Sequence, residues 1–211
     1  MNWQAIFFDF DGVILDSVDI KTKAFAEMFR PFGSKIESEV IAYHLANKGV
    51  SRYKKFTYYY ENLLRREMSE KELDDLDKKF SDLVLKGVID SPFIEGALET
   101  LNELYIRKIP AYVVSGTPHN EINYIVTEKG ISHYFKEIHG TPRHKYEIIK
   151  DILAHNEYQP DKCLFIGDAM SDYNAAKKNE LFFLGVVRKD EISPFPIGTT
   201  ISQCVTFNFS C

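Results

Sequence analysis

The chain predicts an α/β fold: a doubly wound parallel sheet interrupted early by an all-helical insertion. Three observations carry this expectation. From residue 95 to residue 187, strand-like apolar runs alternate with amphipathic helical stretches, the pattern of a parallel sheet with helices on both faces. A further apolar run, Ala5 to Phe8, stands apart near the N-terminus. Between them, residues 17–88 show helical spacing throughout and no strand.

The bulk properties fit one domain with an insertion, or two small domains, at 211 residues. Hydrophobic residues make up 45% and include 16 Phe, enough for a sizeable core and too many for a disordered chain. A net charge of −5 argues against general binding to nucleic acid or to anionic membranes. Cys163, Cys204 and Cys211 are odd in number and widely spaced, so neither a disulfide framework nor a zinc site is expected. Cys163 opens an apolar run and reads as a small buried hydrophobe. The first residues lack the basic-then-apolar pattern of a signal peptide, and no apolar run approaches membrane-spanning length. A cytoplasmic protein is the expectation.

The elements follow in order. Aromatic and β-branched residues packed into Ala5–Phe8 read as a buried strand. Ile20, Ala24, Phe25, Met28 and Phe29 recur at helical spacing over 17–32, and Pro31 and Gly33 end that helix. Residues 36–46 form a second helix, and Asn47-Lys48-Gly49 a turn. Ser51 caps a third helix running to about residue 68. Ser69 and Glu72 form a capping-box pattern that opens a fourth, to about residue 86. Residues 87–96 read as a linker. Then come a helix at 95–108, a strand at 109–115, a helix at 118–130, a short strand at 137–140 and a helix at 144–156. A strand at 163–167, a helix at 169–179 and a strand at 182–187 complete the alternation. Residues 193–198 are loop, and 204–209 are compatible with an edge strand.

Chemistry concentrates where strands end. The first strand runs into Asp9, Phe10, Asp11 and Gly12. Two carboxylates two residues apart project to one side of an extended chain and repel unless a cation or a shared proton intervenes. Ser115 ends the next strand, followed by Gly116 and Thr117. Its hydroxyl and the Gly116 N–H suit a phosphate oxygen, and Gly at 116 permits close approach. Arg143, His144 and Lys145 open a later helix, where a cation opposes the macrodipole. The strand Leu164–Gly167 delivers Asp168, with Asp172 four residues on. Oxygen donors of this kind suit Mg²⁺. Lys48 and Arg52, near Gly49, read equally as substrate contacts or as a solvated helix end.

These pieces together resemble the haloacid dehalogenase-like hydrolases. The resemblance rests on D-x-D-G-V-x-x-D-S from Asp9 to Ser17, on Ser115, on G-x-P-x-x-K from Gly140 to Lys145, and on G-D-x-x-x-D from Gly167 to Asp172. It spans residues 5 to about 187 and points to the branch related to phosphoglycolate phosphatase and β-phosphoglucomutase. It implies a Rossmann-like core, residues 1–16 and 89–211, with a helical cap domain at 17–88. It implies that Asp9 is the nucleophile, forming an aspartyl-phosphate, and Asp11 the general acid and base, with its pKa raised by burial and by neighbouring carboxylates. Lys145 and Ser115, with Gly116, would hold the transferring phosphate. Mg²⁺ would sit on the carboxylates of Asp9 and Asp168 and the carbonyl of Asp11, and Asp172 would orient a water or Lys145. Asp at position 11 favours phosphate esters over carbon–halogen bonds or phosphonates. The expected activity is hydrolysis of a small phosphorylated metabolite. A phosphomutase is the enzymatic alternative, and a non-catalytic binding module the remaining one. Neither a nucleic-acid nor a membrane partner is implied, and the chain is expected to be a monomer or a homodimer, with Tyr58 and Tyr59 as exposed aromatics. Asn179-Glu180 departs from the family's usual Ala-Gly, and Asn179 is expected to take the left-handed cap.

Overall fold

The strands are β1 (Ala5–Phe8), β2 (Ala111–Pro118), β3 (Phe135–Thr141), β4 (Cys163–Gly167), β5 (Phe182–Val186) and β6 (Ile201–Ser202). In the computed structural model, which describes residues 3–206, they form one parallel sheet in the order β3-β2-β1-β4-β5-β6. The order reverses between β1 and β4, which lie side by side with Phe8 opposite Ile166. Ligands in open α/β sheets bind at the carboxyl ends beside such a reversal.

Alternation along the strands divides the core. Ala5, Phe7, Tyr112, Val114 and Phe165 face one side. Against them pack Ile148, Ile149 and Ile152 of α7 (Lys145–Asn156) and Ala175 and Ala176 of α8 (Met170–Lys178). Ile6, Phe8, Val113 and Ile166 face the other side. There they meet Leu101 and Leu104 of α5 (Ala97–Arg107) and Ile122 and Ile125 of α6 (His119–Glu128). Helices thus cover both faces, as the alternation predicts.

The insertion consists of α1 (Val18–Phe29), α2 (Ser34–Ala46), α3 (Arg52–Tyr58) and α4 (Glu70–Asp90). Phe25 lies at its centre, with the rings of His44, Phe56, Tyr59 and Phe80 between 4.4 and 5.8 Å away. The Ser69–Glu72 capping box forms as expected. Among the described residues, no helix is long and apolar enough to cross a membrane.

Five local expectations are corrected. The third helix does not reach residue 68: α3 passes into a π-helical turn, Tyr59–Leu63, and Arg65 takes a left-handed φ of 56°. That turn buries Tyr59, whose hydroxyl donates to the Val40 carbonyl at 3.3 Å, and Tyr58 stacks on Tyr43. These tyrosines are therefore packed inside the insertion and are not the exposed pair expected. Residues 87–90 are not linker but the last turn of α4, where Gly87 lets the helix settle on Ile20. The residue with the left-handed backbone after α8 is Glu180, at φ 59°, not Asn179. Towards the C-terminus the sixth strand is Ile201–Ser202, and Val205 is tied instead to the start of α5 through Glu95 and Thr100. The rest of the expected edge strand, 207–209, lies outside the described residues, as does Cys211. Cys163 is buried as expected.

Candidate active site

β1 and β4 end side by side, so Asp9 and Asp168 arrive at the same sheet edge. With Asp172 they form a buried cluster whose carboxylate oxygens lie within 4.8 Å of one another. The chain turns at Gly12, which has a φ of 80°. A β-carbon there would lie 2.6 Å from an Asp168 carboxylate oxygen. The glycine of the D-x-D-G motif thus serves both the turn and the approach of the two strand ends. Gly12→Ala is expected to cost about 1–2 kcal/mol of stability and to weaken divalent-cation binding, as measured by thermal melting with and without Mg²⁺.

Lys145 is the first residue of α7, only 9% exposed, and its ammonium bridges the cluster. It reaches Asp9 at 2.9 Å and Asp172 at 2.6 Å. The other Asp172 oxygen accepts the Ala169 N–H at 3.0 Å, which fixes the carboxylate that fixes the lysine. The remaining Asp9 oxygen accepts the Phe10 N–H at 2.7 Å. Asp168, by contrast, has no hydrogen bond or ion pair among the described residues, although it is buried. Two of the three acids share Lys145, and the acid without a partner faces those two. That donor set fits a divalent cation with oxygen ligands.

Electrostatics agree. Burial pushes the Asp9 carboxyl up to about 7, and Asp172 and Asp11 add to the shift while Lys145 opposes it. Asp168 is raised as well, by burial and then by Asp9 and Asp172. Asp9 has an ordinary value of 3.8, so the folded state holds more protons than the unfolded one between about pH 4 and pH 7. This contribution is fully present below about pH 4 and is lost as the pH rises towards 7. Without divalent cations, Tm is expected to fall between pH 5 and pH 8 by roughly 5 °C or more. Mg²⁺ should recover the loss at pH 8, and Asp168→Asn should flatten both effects.

Asp11 departs from expectation. Burial alone would raise its pKa, but the Lys21 ammonium and hydrogen bonds from Lys21, Ser17 and Thr117 outweigh burial and hold it below the ordinary value. Ser17 donates to one Asp11 oxygen at 2.6 Å, and Thr117 to the other at 3.1 Å. Lys21 also pairs with Asp11 and donates to Thr117 at 2.8 Å. Sequence reading missed both Lys21 and Thr117 as partners. Lys21 lies on a helix among other charged residues. Thr117 follows the expected strand end at Ser115 but belongs to β2, its N–H donating to the Ser115 hydroxyl at 3.1 Å.

The remaining expected residues divide. Gly116 lines the cavity shared with Asp9, Asp11 and Asp168. Ser115 and Lys145 line an adjoining one that Gly116 also borders. The first cavity encloses about 50 Å³ and is roofed by the insertion through Lys21, Phe25, His44, Lys48, Gly49, Arg52 and Lys55. A β-carbon on Gly49 would lie 2.0 Å from the Ser171 hydroxyl oxygen, so the turn of the insertion rests directly on the core. Arg52 is not a solvated helix end. It is buried, at 2.5 Å from Asp77 and 2.7 Å from Glu121, and so ties the insertion to α6. Arg143 and His144 are exposed, and Arg143 pairs with Asp151.

A family model described as haloacid dehalogenase-like hydrolase matches residues 6–186. A 5'-nucleotidase from Pseudomonas aeruginosa is 30% identical over 105 residues, 47% of this chain and 48% of that one. The match thus spans about half the length of this curated relative. Among solved structures, a haloacid dehalogenase-like family hydrolase from Streptococcus pneumoniae is 20% identical, with 88% of this chain and 85% of that one covered and a TM-score of 0.65. A β-phosphoglucomutase from Clostridium difficile is 21% identical over the same shares, with a TM-score of 0.69. At these identities the two structures speak for the fold alone.

Proposed function

The chain belongs to the haloacid dehalogenase-like hydrolase family, and from that premise we propose that it is a Mg²⁺-dependent phosphatase of small phosphorylated metabolites. The observation that carries the proposal is the buried cluster of Asp9, Asp168 and Asp172 bridged by Lys145 at the carboxyl edge of the sheet.

Asp9 is the nucleophile: its carboxylate attacks phosphorus, the ester oxygen leaves, and an aspartyl-phosphate forms. Lys145, already 2.9 Å from Asp9, meets the phosphoryl oxygens where negative charge grows in the transition state. Asp172 is a positioning residue that holds this ammonium in place. The Ser115 hydroxyl and the Gly116 N–H bind another phosphoryl oxygen. The carboxylates of Asp9 and Asp168 and the Asp11 carbonyl would hold Mg²⁺, which would supply charge to offset the repulsion between a carboxylate and an anionic ester. Asp11 handles the proton of the leaving oxygen and then that of the incoming water. In the arrangement described here it is held ionised by Lys21 and thus ready as a base. Donating a proton requires its hold on Lys21 to loosen.

Residues 17–88 act as the cap, and residues 1–16 with 89–211 as the core. The cavity over Asp9 holds about 50 Å³ and the one beside it about 230 Å³, each below the roughly 300 Å³ or more of a typical small-molecule site. The cap therefore opens to admit substrate and closes to exclude water. The test is phosphate release from a panel of phosphate monoesters, with Mg²⁺ and with chelator. Turnover that requires Mg²⁺ supports the reading. A folded, metal-replete protein that releases no phosphate from any of them overturns it.

A further inference from the structure

Four basic side chains roof or line the cavity over Asp9: Lys21, Lys48, Arg52 and Lys55. Three are matched by carboxylates. Lys21 pairs with Asp11, Lys48 with Glu191 at 2.8 Å, and Arg52 with Asp77 and Glu121. Lys55 has no carboxylate partner among the described residues, yet it is only 2% exposed. Its ammonium meets two acceptors, His44 Nδ1 at 2.9 Å and the Lys48 carbonyl at 3.2 Å, and an ammonium has three protons to donate. A buried cation with no counter-charge is costly. Burial accordingly pushes the Lys55 ammonium down to about 7.

His44 carries a second, independent observation. It is 3% exposed and lines the same cavity. Its Nδ1 accepts from Lys55, so the neutral ring carries its proton on Nε2, and that nitrogen has no hydrogen-bond partner among the described residues. A buried donor is rarely left unsatisfied. Two adjacent helices, α2 and α3, therefore bring together an uncompensated ammonium and an unused N–H, across the cavity from the acids.

We propose that Lys55 and His44 form the docking point for a second anionic group on the substrate, a carboxylate or a second phosphate, held by the cap while the first phosphate meets Asp9. This rests on the phosphatase reading for the role of the core, but the docking point is tested by binding alone. Lys55, His44 and Asp9 line one cavity, so a single small ligand carries both charged groups. The anion supplies the counter-charge that Lys55 lacks and an acceptor for His44 Nε2. Specificity follows from the penalty on a neutral competitor, which leaves both groups unsatisfied.

The test uses calorimetry on the full chain with excess Mg²⁺ and three matched phosphonates: phosphonopropionate, propylene bisphosphonate and uncharged-tail propylphosphonate. At least one of the two doubly anionic ligands is expected to bind tenfold or more tightly than propylphosphonate, and which one does so identifies the second group. The gap should collapse to within threefold in both Lys55→Met and Lys55→Gln, and should narrow in His44→Phe. Equal binding of all three ligands by the native chain overturns the proposal, as does a gap that survives in a folded Lys55 variant. The native comparison needs no variant to fold. Phosphate release from monoesters with and without a second anionic group is measured in parallel. A binding gap with no turnover of any of them sinks the phosphatase reading and leaves the docking point standing.

Discussion

Asp9→Asn is expected to yield a folded protein whose phosphatase turnover falls by about 10⁴-fold or more, the scale on which loss of a nucleophile is felt. The amide is nearly the same size as the carboxylate and can still accept the Phe10 N–H that now bonds one Asp9 oxygen at 2.7 Å. What it loses is the negative charge proposed to attack phosphorus. Stability should move the other way. Asp9 is one of three clustered buried acids, two of which share Lys145, so its neutralisation relieves like-charge repulsion. The melting temperature without Mg²⁺ is expected to rise at pH 8 and to change little at pH 5, where the native Asp9 is already largely protonated. A variant that is both inactive and unfolded would point instead to a structural role.

Lys145→Met is the second large effect, and it should cost both stability and activity. Removing the ammonium leaves Asp9, Asp168 and Asp172 buried together without a counter-ion. Breaking a buried ion pair from one side typically costs ~3–5 kcal/mol, or roughly 10 °C in Tm for a chain of this size. Mg²⁺ should restore part of this loss. Turnover should fall by about 10²–10³-fold, the usual cost of one preorganised charge in the transition state. Adding Asp172→Asn removes one of the stranded acids, so the double variant should recover stability without recovering turnover. Recovery of both would mean that Lys145 acts only as a structural counter-ion. The sum of the single effects, in stability, would mean that the two residues are uncoupled, against their separation of 2.6 Å.

Much of this site is legible in the sequence because it hangs on strand ends. Asp9, Ser115 and Asp168 each follow an apolar run, and parallel strands bring their carboxyl ends to one edge. Lys145 is marked by being a cation in the first turn of a helix, where the macrodipole disfavours it. The less legible residues are those whose partners come from distant parts of the chain. Nothing in α1 distinguishes Lys21 from Lys23, yet Lys21 turns to Asp11 and reverses the direction of its pKa shift. Arg52 sits at a helix start, as a solvated residue would, but Asp77 and Glu121 draw it inside. Lys55 and His44 look like ordinary polar positions on amphipathic helices until the cap lies on the core. The departures in the fold have the same origin. Gly87 reads as a helix end, but contact with Ile20 makes it a packing position. Val205 reads as strand, but the start of α5 claims its backbone.

The central claim is covalent catalysis by Asp9, and the most direct measurement is acid-quench trapping with a radiolabelled phosphate monoester in the presence of Mg²⁺. The label is expected on the peptide that contains Asp9, released by hydroxylamine as an acyl phosphate should be, and absent in Asp9→Asn. Steady turnover with no trapped label under single-turnover conditions, or label on any other residue, would contradict the account.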